Sequence, residues 1–156
     1  MSALIFGVIA SAAAVFSVLF SAMQIRELGR QSAINNGIAA ASAIHSSVER
    51  LHNVAGLIHH QPRLYKYFFG GSAVPAGGEE CDQVMILATM FADALDYGLM
   101  IKSLAPGVGT YECWDDYTTG ILRSSPAVRL VVSQNPTWWP SLSDHVQRNP
   151  AAFVAP

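Results

Sequence analysis

The feature that most constrains this chain is a long uncharged segment. Residues 2–25 contain no Asp, Glu, Lys, Arg or His. As an α-helix rising about 1.5 Å per residue, this segment is long enough to cross a hydrocarbon core of roughly 30 Å. A signal peptide would have a positive region before a shorter apolar core, and a buried core helix is rarely this long and uncharged. We therefore predict that residues 1–25 form a single transmembrane anchor.

The charges beside this segment predict its orientation. Arg26 and Arg30 lie directly after it, and no Lys or Arg precedes it. The positive-inside rule then places the N-terminus outside and the body of the protein in the cytoplasm. Cytoplasmic thiols are normally reduced, so Cys81 and Cys113 are expected to be free.

Small residues recur within the predicted anchor. Ala13, Ser17 and Ser21 are four residues apart and therefore share one helix face. Small residues at this spacing let helices approach closely in lipid, which favours packing against another membrane protein or a second copy of the chain. The alternative is that Ala and Ser are simply common in apolar helices.

Residues 26–60 are predicted to continue the anchor as a stalk helix. They contain no proline, and apolar or small residues recur at helical spacing. These residues are Ile34, Ile38, Ala41, Val48, Leu51, Ala55 and Ile58. A long helix with such a thin apolar face is not stable alone in water. It must pack against the rest of the chain, a second copy or another protein.

Residues 61–149 are predicted to form a small helical bundle, and residues 150–156 a loose tail. Only 13% of the chain is charged, against about 25% in a typical soluble domain, so its helices have apolar faces to bury. The central helix is expected over about 80–104, after a flexible glycine-rich connector at 70–78. No hairpin signal occurs in the sequence, and the predicted fold class is all-α.

Turn residues and caps divide the rest of this bundle. Pro106-Gly107 should end the central helix, and Thr110 can cap the next. Ser125-Pro126 is typical of an N-cap followed by a first-turn proline, and Ser143 is a candidate cap of the last helix.

Histidines on the stalk are the most specific candidate for chemistry. His45, Glu49 and His52 lie at i, i+4 and i+7 on one helix face. Glu49 and His52 match the Glu-x-x-His spacing of di-iron bundles, but the sequence has no second such pair. The alternatives are a metal- or pH-responsive sensor on this face, or a polar stripe on an amphipathic helix.

Four acidic residues have two interpretations. Asp93, Asp96, Asp115 and Asp116 are either solvated helix charges or, if they converge, ligands for Mg²⁺. In either case Asp93 and Asp96 make a second membrane span costly, at about 2.5–3.5 kcal/mol each.

Two aromatic clusters have three interpretations. Tyr65, Tyr67 and Phe68 form the first, and Trp138 and Trp139 form the second. Core packing is one interpretation. The others are a protein interface, since Tyr and Trp are favoured there, and docking at the membrane surface.

Several functional classes find no support in the sequence. The net charge is −2 and the basic residues are scattered, which argues against nucleic-acid binding. The glycine-rich stretch is not followed by Gly-Lys-Ser/Thr, so it is not a phosphate-binding loop. No catalytic site and no cofactor are predicted, and the protein is not expected to be an enzyme.

The layout resembles small single-span, helix-rich bacterial membrane proteins of unknown function. The resemblance rests on the uncharged segment, the 64–68 aromatic cluster, and the Ser125-Pro126 and Trp138-Trp139 pairs. It implies a bacterial inner membrane and no particular catalytic residues. We therefore expect a membrane-anchored interaction or accessory protein that contacts lipid and another protein.

Overall fold

The described part of the chain is helical. The computed structural model describes residues 2–104 and 113–153. Its α-helices are α1 (Ser2–His60), α2 (Tyr65–Phe68), α3 (Glu79–Leu104), α4 (Cys113–Ser124), α5 (Pro126–Gln134) and α6 (Pro140–Arg148). Short 3₁₀ helices cover Pro62–Leu64 and Pro150–Ala152. These two described ranges contain no strand, and the prediction of an all-α protein is confirmed.

The chain divides into two compact units, Met1–Ala39 and Ala40–Pro156. Helix α1 includes residues of both, so the predicted anchor and stalk fall in one continuous helix. Residues 40–60, predicted as part of the stalk helix, group with the second unit. The reason is that Leu51, Val54 and Ile58 share one helix face and are buried in the core of that unit.

Helix α3 is the centre of this core, as the sequence indicated. It packs against α4, α5 and α6. Val84, Leu87, Phe91 and Leu95 recur at intervals of three or four residues, and all four are buried. Three acidic residues occupy the first turn of the helix, where they complement the positive end of the helix dipole.

Helix α3 has the length and apolar composition of a membrane span, but half of that window is buried inside the protein. Its two central carboxylates accept hydrogen bonds from the start of α6. The indole Nε1 of Trp139 donates to Asp93 Oδ1 at 2.7 Å, and the Leu142 N–H donates to Asp96 Oδ1 at 2.8 Å. Because these contacts attach α3 to α6, α3 is a core helix of the second unit.

The connector at 70–78 depends on two glycines. Gly71 and Gly78 have φ values of +70° and +88°, a left-handed conformation that favours glycine. Gly71 follows α2, where the Ser72 N–H donates to the Lys66 carbonyl at 2.9 Å, and Gly78 directly precedes α3. Val74 packs against the core. The connector predicted to be flexible is therefore held at its middle as well as at its ends.

One predicted cap is confirmed and one is wrong. Ser125 caps α5: its Oγ accepts a hydrogen bond from the Val128 N–H at 3.2 Å. Ser143 does not cap α6. It lies inside that helix and donates to the Pro136 carbonyl at 2.6 Å, because Pro140 already begins the helix at its first position.

Residues 150–153 of the predicted loose tail are ordered. Residues Pro150–Ala152 form a 3₁₀ helix, and Phe153 packs against the core. The predicted helix end at Pro106-Gly107 and the predicted cap at Thr110 lie outside the described residues.

Candidate functional site

The first unit exposes its apolar side chains. Phe6, Phe16 and Met23 are 74%, 73% and 71% exposed. The same is true of the other described large apolar residues of this segment, Val15, Val18, Leu19, Phe20 and Ile25. Contiguous exposed apolar surface of this kind marks contact with a membrane or with another protein.

The small residues of the same segment are also exposed. Ala13, Ser17 and Ser21 all lie on the surface of α1. Nearby, the Ser11 hydroxyl donates to the Gly7 carbonyl at 2.9 Å, a bond within the helix that satisfies a polar group without water. The helix face that these residues share is therefore available to a neighbour.

The first aromatic cluster divides between core and surface. Phe68 and Tyr67 are buried, and Phe68 stacks on Phe91 with ring centroids 6.4 Å apart. Tyr65 is exposed and contacts the Phe69 ring at 5.0 Å. Tyr67 and Phe68 are thus corrected from interaction candidates to core residues, because α2 directs them into the bundle.

The tryptophan pair divides in the same way. Trp139 is 2% exposed and bound to Asp93, whereas Trp138 is 63% exposed. Their rings meet edge to face with centroids 5.6 Å apart. Trp139 is therefore a core residue. Trp138 exposes its indole at the surface, where the ring packs against the buried Trp139. Tyr65 and Trp138 are the aromatic residues that stay interaction candidates.

The histidine face of α1 is solvent-exposed. His45, Glu49 and His52 are all exposed. Within residues 2–104 and 113–153, no three His, Cys, Asp or Glu side chains come together as a metal site. The geometry of the described chain therefore gives the metal-sensor alternative no ligand set.

A polar cluster that no sequence pattern predicted lies where α3, α4 and α6 meet. Asp115 Oδ2 forms an ion pair with the Nζ of Lys102, and Asp115 Oδ1 lies 3.7 Å from His145 Nδ1. On the other side of the imidazole, His145 Nε2 is 3.0 Å from Thr119 Oγ1. Asp115 and Thr119 are four residues apart, so both face His145 from one side of α4.

Burial disfavours the charged form of the His145 imidazole. The side chain is 1% exposed, and its Nδ1 has no hydrogen-bond partner. Burial lowers the pKa of His145; the Asp115 carboxylate opposes this effect, while Arg148 and Lys102 reinforce it. The arrangement is a buried histidine with one nitrogen hydrogen-bonded and the other facing a carboxylate that is already paired.

A cavity of about 260 Å³ lies beside this cluster, and Lys102, Asp115, Ser141 and Arg148 contribute to its lining. The order Thr119–His145–Asp115 is that of a nucleophile, a base and its orienting acid. However, Lys102 already binds Asp115, and Thr119 does not line the cavity. The geometry therefore supports a proton-binding role for His145 better than a nucleophilic one for Thr119.

No family model, curated protein or solved structure matches this chain. The function is therefore argued from its own residues. These provide one exposed apolar segment, the two exposed aromatic interaction candidates Tyr65 and Trp138, and one polar cluster around buried His145.

Proposed function

We propose that this protein is a membrane-anchored helical accessory protein that binds another protein through its helical body. Residues 2–25 of α1 would cross the membrane, and the second unit would act in the cytoplasm. The observation that carries the proposal is the exposure of every described large apolar side chain in a segment that contains no ionic group.

The magnitude of this exposure favours lipid over water. Phe6, Phe16 and Phe20 are 62–74% exposed. A phenylalanine has about 150–250 Å² to bury, so transfer of these three rings at about 25 cal/mol/Å² contributes on the order of 10 kcal/mol. No contact within the unit Met1–Ala39 can supply this burial, since a single helix cannot cover its own surface.

The proposed topology has a direct test in the native thiols. Cys113 is exposed and Cys81 is half-buried, and both are free. In a Cys81→Ser background, a membrane-impermeant maleimide should label Cys113 only after the cytoplasmic membrane is permeabilised. A Cys81→Ser, Cys113→Ser variant gives the background signal. Labelling of Cys113 in intact cells would reverse the proposed orientation.

The interaction surface is proposed to include Tyr65 and Trp138. Tyr and Trp are enriched where proteins bind, because they supply large rigid contact area. A partner is either a second copy or another membrane protein, and the small-residue face at Ala13, Ser17 and Ser21 would accompany that contact in the bilayer.

Site-specific crosslinking tests this interaction. A photo-crosslinking amino acid at position 138 in the full-length protein should give one discrete adduct in membranes, with a matched probe at exposed Ser133 as the control. Light scattering in mild detergent should then give a protein mass above the 16.7 kDa of one chain. A monomer that crosslinks equally weakly at both positions would contradict the interaction.

A further inference from the structure

The polar cluster at the meeting of α3, α4 and α6 has a feature that packing alone does not require. Asp115 has two oxygens with two different neighbours: Oδ2 holds the Lys102 ammonium, and Oδ1 faces His145 Nδ1 at 3.7 Å. This distance is too long for a hydrogen bond and short enough to become one by a small movement. The carboxylate is therefore placed between two possible cationic partners.

We propose that His145 is a pH-sensitive switch that draws Asp115 away from Lys102 when the imidazole takes up a proton. A proton from solvent binds the imidazole, so that both ring nitrogens carry hydrogen. Nε2–H then donates to Thr119 Oγ1, and Nδ1–H donates to Asp115 Oδ1. The new bond joins a cation to a carboxylate and is of the strong, charge-assisted kind. Lys102 loses part of its ion pair and turns to water.

The charges around His145 favour this exchange over simple expulsion of the ring. Lys102 faces it from α3, Asp115 from α4, and Arg148 and Asp144 lie on its own helix, where they pair with each other at 3.3 Å. Asp96 of α3 is occupied by the Leu142 N–H. The neighbouring 3₁₀ helix, Pro150–Ala152, has no titratable side chain. Asp115 is therefore the one carboxylate among these groups placed to accept a hydrogen bond from the protonated ring.

Movement of the Asp115 carboxylate from Lys102 to His145 would loosen the end of α3. Lys102 lies in the last turn of that helix, and its partner on α4 ties the two helices together. When Asp115 moves toward α6, the last turn of α3 loses this tie while α4 and α6 gain one. The inference concerns only the second unit and is independent of the proposed membrane anchor.

Hydrogen exchange of the full-length protein in detergent micelles tests the switch. Peptides that cover the last turn of α3 should exchange faster as the pH falls from about 8 to about 5, after correction for intrinsic rates. The midpoint of this change should coincide with the titration of the His145 ring signal, followed by nuclear magnetic resonance. His145→Gln should abolish the change, and His52→Gln, at an exposed histidine, should leave it intact.

Two further variants keep the test decisive if His145→Gln folds poorly. Lys102→Met removes a competing cation, so the midpoint of the His145 ring titration should move to higher pH. Asp115→Asn removes the carboxylate charge, so the same midpoint should move to lower pH. The proposal is overturned if exchange at the end of α3 in the wild type does not depend on pH, or if these two variants shift the His145 ring titration in the same direction.

Discussion

Trp139 and Asp93 join α6 to α3 through one hydrogen bond: the indole Nε1 donates to the carboxylate Oδ1 at 2.7 Å. Three residues along α3, Asp96 accepts the Leu142 N–H at 2.8 Å. The spacing of three puts both carboxylates on the same side of α3, where they meet the start of α6. Two residues that look like solvated charges in the sequence therefore hold helices together.

Removal of this acceptor should destabilise the second unit. We expect Asp93→Ala to lower the free energy of unfolding by about 1.5 kcal/mol, because a hydrogen bond to a charged group contributes about 1.5–3 kcal/mol and Asp93 is only partly covered. Chemical denaturation followed by tryptophan fluorescence measures the change. Asp144→Ala, which breaks a surface ion pair with Arg148, should cost less than about 1 kcal/mol. Equal losses in both variants would contradict the assigned role of Asp93.

A glycine in α3 should be intolerant of a methyl group. A Cβ added at Gly98 would overlap the indole ring of Trp114, so Gly98→Ala must displace a buried aromatic residue. We expect a loss of about 1–3 kcal/mol, as in other overpacked cores. Gly120→Ala in α4 is the matched control, since nothing lies within 4 Å of its added Cβ, and it should be neutral or stabilising. Thermal unfolding monitored by circular dichroism ranks the two variants.

The cap of α5 should contribute measurably to stability. Ser125 Oγ accepts the Val128 N–H at 3.2 Å, and Ser125→Ala removes that bond at a buried position. We expect this variant to lower the free energy of unfolding by about 1 kcal/mol, measured by chemical denaturation. Ser133→Ala, in the same helix but exposed, should change stability by less than about 0.5 kcal/mol.

His145 should make the folded state less stable in mild acid. Burial lowers the pKa of His145 in the folded state below its ordinary value of 6.5, so the unfolded chain binds the proton more readily. The stability associated with neutral His145 is complete above pH 6.5 and is lost as the pH falls from there through the lower folded value. Denaturation at a series of pH values measures how the free energy of unfolding changes with pH.

The contribution of His145 is isolated by comparison with a variant. Carboxylates also titrate at low pH, so the quantity to follow is the difference between the wild type and His145→Gln at each pH. This difference should change across the window just below pH 6.5. A difference that stays constant across this window would mean that burial does not lower the pKa of His145.

Local signals in the sequence predicted much of the fold. The apolar spacing of α3, the Ser125-Pro126 pair and the absence of hairpin patterns each act over a few residues, and each prediction agrees with the structure. The prediction that Ser143 caps α6 was wrong because Pro140, three residues earlier, is a stronger signal for the start of a helix.

The candidate site depended on contacts that no local pattern reveals. Trp138 and Trp139 are adjacent tryptophans that look alike in the sequence. Only the packing of α6 against α3 determines that Trp139 is the buried one. His145 is 26 residues from Thr119, its hydrogen-bond partner, so the pair forms through tertiary packing. A usable signal was present: His145 follows buried Leu142 by three residues, which places it on the apolar face of α6.

The most direct test of the proposed anchor is alkaline carbonate extraction of membranes from cells that produce the full-length protein. We predict that the wild type stays in the membrane pellet. A Phe16→Asp, Leu19→Arg variant should move to the soluble fraction, because each charge costs about 2.5–3.5 kcal/mol near the bilayer centre. A Ser133→Asp, Gln134→Arg control at exposed positions of α5 should pellet like the wild type. Wild-type protein that stays in the supernatant after lysis would contradict the anchor.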